Sequence, residues 1–211
     1  YYNTANGVSA LQSNTTGYYN TANGMQALHS NITGNYNTAN GMQALFYNTT
    51  GYQNTANGMN ALFYNTTGYY NTANGVNAGR FIADGATANQ TSNNSVYEGY
   101  NTMALASGDT NEIVIGASAI GNGSNTVTLG NTSIVKTILQ GNVGIGTTSP
   151  TAALHLKAGV ASANGAPLKF TAGTLLTALE LGALEFTDDG TNGHLYITRN
   201  LTGVLTRTLI I

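Results

Sequence analysis

The residues that could do chemistry are few and scattered. His29, His155 and His194 stand on separate stretches of the 211-residue chain, and no His-x-His spacing offers a metal two ligands on one strand face. All eight carboxylates lie beyond residue 79. Glu180/Glu185 or Asp188/Asp189 would form a glycosidase pair only across subunits, and no Ser-His-Asp arrangement is set by spacing. Asp188-Asp189-Gly190-Thr191-Asn192-Gly193 has the composition of a calcium loop but lacks its alternating ligands and closing glutamate, so it reads as a hairpin turn. Gly144-Ile145-Gly146-Thr147-Thr148-Ser149 lacks the third glycine and the helix of a dinucleotide loop and reads as a strand ending in a turn. The expectation is a protein that is not an enzyme, with no catalytic residue, no cofactor and no metal.

The elements that would position such groups point the same way. Charged residues are 7% of the chain and net charge is −2. Six Lys and Arg make no basic patch able to displace counterions, so no nucleic acid is expected as partner. No run approaches the ~20 apolar residues of a spanning helix, so no membrane insertion is expected. Hydrophobic residues at 41% with little net charge do not fit disorder. There is no cysteine for a disulfide or thiolate site.

What the first half does carry is a repeat. Asn-Thr-Ala-Asn-Gly begins at Asn3, Asn20, Asn37, Asn54 and Asn71, always 17 residues apart. Five copies of one length without insertions describe a stacked array in which each copy meets its neighbours identically. Glycine and asparagine breaks leave stretches too short for a helix pair. Seventeen extended residues make a circuit of roughly 56 Å, suited to one coil of a narrow parallel β-solenoid. In-register stacking places Asn3, Asn20, Asn37, Asn54 and Asn71 in a ladder sharing amide hydrogen bonds along the axis. It also predicts an apolar column of Val8, Met25, Met42, Met59 and Val76 on the same face as Ala10, Ala27, Ala44, Ala61 and Ala78. A column of Leu11, Leu28, Leu45 and Leu62 is expected beside it.

The absence of Asp, Glu, Lys and Arg from residues 1–79 then has a cause. A charged residue in a ladder sits about 5 Å from its own copy, and like charges in direct opposition destabilise a sheet. The core of such a coil is thin, and its tyrosines need cover that association of several chains would supply, a closed homotrimer being the expected form. Phe46-Tyr47 and Phe63-Tyr64 replace Gln12-Ser13 and His29-Ser30 of earlier copies. A position that varies within a rigid repeat is not dictated by the fold, so these four aromatics are candidate receptor contacts, on sugar rings or at a subunit interface. Asn14, Asn31, Asn48 and Asn65 form Asn-x-Thr sequons that read as turn residues.

Further along, Ile113–Ile115, Val127–Leu129 and Val143–Ile145 each precede a glycine. Their alternation predicts looser rungs with Ile113/Ile115, Val127/Leu129 and Val143/Ile145 on one buried face. Ala153–Lys157 reads as a strand with leucines inward. Gly182–Phe186 and His194–Thr198 flank a hairpin turn, and Pro167–Phe170 and Thr206–Ile211 read as further strands. The expected organisation is five solenoid repeats over 1–85, irregular rungs over 86–146, a transition strand over 147–158 and a small β module over 159–211.

NTANGMQALFYNTTG resembles the Asn/Gly/Ala repeats in the heads of trimeric autotransporter adhesins, and more closely the repeats of bacteriophage tail fibres. NEIVIGASAIGNGSNTVTLGN and GNVGIGTTSPTAALHLKAG are similar to the distal part of such fibres. The resemblance implies an all-β, homotrimeric parallel β-solenoid fibre with a small C-terminal antiparallel module. It implies a structural segment of a virion tail fibre, extracellular, serving host attachment through a cell-surface glycan or protein. The alternative is a bacterial surface adhesin or self-assembling extracellular filament at the cell surface.

Overall fold

The computed structural model describes residues 2–156, 184–188, 193–201 and 204–209. Among the described residues there is no helix. Eight short strands, β1 (Thr4–Asn6), β2 (Thr21–Asn23), β3 (Thr38–Asn40), β4 (Thr55–Asn57), β5 (Thr72–Asn74), β6 (Val96–Glu98), β7 (Ile113–Ile115) and β8 (Val127–Leu129), pair in chain order into one parallel sheet. This is a β-solenoid, each coil contributing one three-residue strand and advancing about 4.8 Å along the axis. Register is identical from coil to coil: Thr21 faces Thr38, Ala22 faces Ala39 and Asn23 faces Asn40.

Outside the strands the stacking is just as regular. Gln43 N–H donates to Met25 O at 2.9 Å, and Leu28 N–H to Ala44 O at 3.0 Å. The corners use left-handed backbone at fixed repeat positions. Gln26, Gln43 and Asn60 have φ of 58–59°, and Leu28, Leu45 and Leu62 have φ of 49–52°. A left-handed leucine costs about 1–2 kcal/mol. Burial of a whole leucine side chain returns roughly 1.5–3 kcal/mol, so the corner is affordable where the side chain goes inside. Leu28 and Leu45 are fully buried, with Ala22, Ala27, Ala39 and Ala44 around them.

These corners overturn one expectation. Met25, Met42 and Met59 do not share a face with the alanines two residues on; they are 37–46% exposed, and Val8 is 73% exposed, while Ala27, Ala44 and Ala61 are buried. Two-residue alternation holds for extended backbone. The left-handed residue between methionine and alanine turns the chain, so Ala and Leu go inward in succession and Met stays out.

The array changes character after Ala78. The step from β5 to β6 is 24 residues instead of 17, and the extra chain forms a turn in which Phe81 bridges Ala88. At this junction the inward strand residue changes from Ala73 in one coil to Tyr97 in the next, and the leucine position of the first of these coils becomes Gly79. A Cβ on Gly79 would stand 2.7 Å from Tyr97 Cδ2. The ring has taken the space of the missing leucine.

In β7 and β8 the centre residue faces the core. Val114 is buried, whereas Ile115, Val127 and Leu129 are 38%, 62% and 57% exposed. The expected buried face of Ile113/Ile115 and Val127/Leu129 is therefore the outer one, because pairing on β6 puts the flanks where Thr and Asn stand in the repeats. Val143–Ile145 does not extend this sheet.

The chain divides into two compact units at Thr137/Ile138. In the second, β9 (Val143–Ile145) pairs in parallel with β10 (Leu154–Leu156). Ile145 and Leu154 are each 59% exposed, against the expectation that both point inward. β11 (Leu184–Asp188), β12 (Gly193–Leu201) and β13 (Val204–Leu209) form an antiparallel meander, with Asp188 opposite Gly193 closing the expected hairpin. The strand expected at Pro167–Phe170 lies outside the described residues.

Glycine at the strand end is dictated by stacking. Gly41 has φ of 140°, and a Cβ there would meet Gly58 O at 2.6 Å. Gly41→Ala is expected to cost roughly 3 kcal/mol or more, and Gly85→Ala, with its nearest neighbour at 4.0 Å, only about 1 kcal/mol of backbone strain. Urea unfolding midpoints of the two variants measure the difference.

Candidate functional site

The solenoid brings every ladder residue of the repeats onto its own copy. Asn20, Asn37, Asn54 and Asn71 are 0–1% exposed. Each amide oxygen accepts the backbone N–H of the next ladder residue: Asn3 Oδ1 from Asn20 at 2.8 Å, Asn20 from Asn37 at 2.9 Å, and Asn37 from Asn54 and Asn54 from Asn71 at 3.0 Å. Each Nδ2 donates across the coil, Asn20 to Gly34 O and Asn37 to Gly51 O, both at 2.8 Å. The side chain clips one rung to the next and caps the turn, and it uses amide-to-amide bonds less than stacking alone suggests.

Two other asparagine columns make the true amide ladders. Asn31, Asn48 and Asn65 are 0–2% exposed, and each Nδ2 donates to the preceding Oδ1 at 2.8 Å and to a glycine carbonyl at 3.0–3.1 Å or, for Asn48, 2.9 Å. These are the sequon asparagines, and their amide nitrogens are committed inside the coil. On the outer strand face Asn23, Asn40 and Asn57 each donate to the next amide oxygen at 2.8–2.9 Å, and Asn74 ends the row by donating to the Glu98 carboxylate at 2.8 Å.

The candidate aromatics form a double stack. His29, Phe46 and Phe63 lie face to face at 4.8 and 5.2 Å, Tyr47 stacks on Tyr64 at 5.7 Å, and Phe46 meets Tyr47 edge-on at 4.7 Å. Arg80, which the sequence did not single out, closes the stack with its guanidinium 4.8 Å from Phe63 and 4.7 Å from Phe81. A cation over a ring face is favourable. Its place in the column follows from the 17-residue period, one full period on from Phe63. Ring faces are thus largely spent on neighbouring copies, and Tyr47, 43% exposed, has one face on Tyr64. A second stack of Tyr2, Tyr19 and Tyr36, at 5.1 Å, occupies another corner.

His29 is in the stack, His155 is on β10 and His194 is on β12. Among the described residues no group of three metal-ligating side chains occurs.

Glu112 is a buried carboxylate that the sequence analysis passed over. Its Oε1 accepts Gly123 N–H at 2.9 Å and Leu105 N–H at 3.3 Å, and Tyr97 Oη lies 3.5 Å from Oε2. Burial raises its pKa, with Asp109 adding to the rise. Burial pushes the Tyr97 hydroxyl up to about 12. Exposed Asp84 moves the other way, lowered by hydrogen bonds from Thr87 and Ala86.

No family model, curated protein or solved structure matches the chain.

Asn20→Asp replaces the donor to Gly34 O with a buried oxygen and is expected to cost roughly 3 kcal/mol. Further replacements in the same column should be worse than additive, as thermal melts of single and multiple variants would read. Glu112 gives a pH dependence of opposite sense to a salt-bridged acid. The folded state holds its proton to higher pH than the unfolded chain, so the stabilising contribution is complete below the ordinary glutamate range and is lost as pH rises through the folded value. Glu112→Gln should melt close to the parent at acid pH and above it at alkaline pH.

Proposed function

We propose that the chain is a structural segment of a homotrimeric phage tail fibre, in the virion or otherwise extracellular, serving host attachment without catalysis. The observation that carries this reading is an exposed apolar column with one side chain per coil. Val8, Met25, Met42 and Met59 lead towards Tyr100, itself 58% exposed. A surface of this kind marks association. A second copy in register presents the same side chain at the same ~4.8 Å interval, and residues 1–79 bring no charge to oppose the match.

The stacked aromatics support the same division of labour. Rings whose faces are covered by their own copies suit edge packing between chains better than stacking on sugar. Recognition of a host glycan or protein then belongs to the charged second half, near Asp188–His194 and Arg199–Arg207, with Phe46, Tyr47, Phe63 and Tyr64 as the alternative along the shaft. Light scattering of the soluble segment should give three chains. Met42→Lys, which sets ammonium groups within the apolar column, should dissociate them, while Gln12→Lys on the aromatic side should not. A folded monomer of the parent at micromolar concentration would sink the proposal.

A further inference from the structure

The repeats end each strand in the same two residues: Asn23-Gly24, Asn40-Gly41, Asn57-Gly58 and Asn74-Gly75. Asn-Gly is chemically labile, because a glycine backbone nitrogen reaches the preceding side chain without steric hindrance. The glycine nitrogen bonds to Asn Cγ, the Cγ–Nδ2 bond breaks, and ammonia leaves with the proton shed by the amide. The five-membered succinimide that forms is opened by water at either carbonyl to aspartate or isoaspartate. Water is consumed, ammonia is released and nothing is oxidised.

In the solenoid both reactants are held away from this path. The nucleophile is tied down first: Gly24 N–H donates to Asn6 O, Gly41 to Asn23 O, Gly58 to Asn40 O and Gly75 to Asn57 O, all at 2.8 Å. The electrophile is tied down by the outer amide row, in which Asn23, Asn40 and Asn57 each donate to the next amide oxygen at 2.8–2.9 Å and Asn74 donates to Glu98. One group is bonded to the preceding rung and the other to the following one. Ring closure requires the coil to part from at least one neighbour.

We propose that these four asparagines are latent deamidation sites gated by rung stacking, so that a coil which opens is chemically marked and cannot close as before. Aspartate at the position loses the Nδ2 donor and sets an anion against an amide oxygen or, at Asn74, against the Glu98 carboxylate. Isoaspartate adds a methylene to the main chain of a three-residue strand whose every Cα has an in-register partner. Neither product restores the row. An array of identical coils would otherwise re-close in any register, and the modification makes opening a one-way event.

The test follows the whole folded chain at mildly alkaline pH and physiological temperature, beside the same chain in urea and a free Thr38–Ala44 peptide. Digestion and mass measurement report conversion at each Asn-Gly. Asn23, Asn40, Asn57 and Asn74 should convert at the peptide's rate in urea and on the order of a hundredfold more slowly in the folded chain, the protection expected of groups that react only from a locally open state. Asn6, whose Gly7 N–H makes no such bond among the described residues, is the internal comparison and should convert at close to the peptide's rate. Conversion of folded Asn40 at the peptide's rate with circular dichroism unchanged would overturn the gating. Asn40→Asp, the product made directly, should unfold at lower urea than the parent, and equal midpoints would overturn the one-way step.

Discussion

The structure depends on one constraint: each coil lies on a near-copy of itself, in register. Whatever residue occupies a position must tolerate its own kind at the rung spacing. Asparagine does so by donating one way and accepting the other, which is why three separate columns of it run through the repeats. Aromatic rings do so by stacking faces. Charged groups do not, and they return only where the repeat ends. Glycine at the strand end is required for the same reason, since a Cβ would enter the backbone of the coil beyond it.

Stacking also sets how little each coil can bury. Per repeat the interior receives two alanines, a leucine and two asparagines. Such a core is made largely of backbone and amide contacts, so hydrogen-bond satisfaction carries weight that apolar area carries in a globular domain. The junction at Tyr97 shows how the pattern is left behind. One large ring replaces the small strand residue, a glycine replaces the leucine, and a buried carboxylate held by two backbone N–H groups fills the next level. The ring of one coil fills the place a leucine would take in its neighbour.

The outer surface inherits the same periodicity. Because inward positions are already filled by alanine and leucine, the methionine column and the flanks of β7 and β8 are left on the outside. That one-per-coil apolar stripe, together with the stacked rings beside it, underlies the proposal of a homotrimer. The equal spacing of the five copies follows from the same stacking, because each repeated side chain lies beside its own copy.

Much of this was legible in the residues. The 17-residue period, five copies without insertion, the turn-forming composition and the absence of charge determine a stacked, all-β array by themselves, because only in-register stacking makes identical spacing and missing charge the same fact. The hairpin around Asp188–Gly193 was legible from its turn chemistry. Which side chains face in was not. Met and Ala two apart read as one face, and Ile113/Ile115 read as buried, because alternation assumes extended backbone and says nothing about the left-handed Gln43 and Leu45 that turn the corner, or about the register on β6 that puts Val114 at the centre. The pairing of Val143–Ile145 with Leu154–Leu156, the Tyr97–Gly79 exchange and the burial of Glu112 were decided by tertiary structure alone. Each depends on a residue brought from a different coil or strand, and no local pattern in the sequence records which neighbour that is.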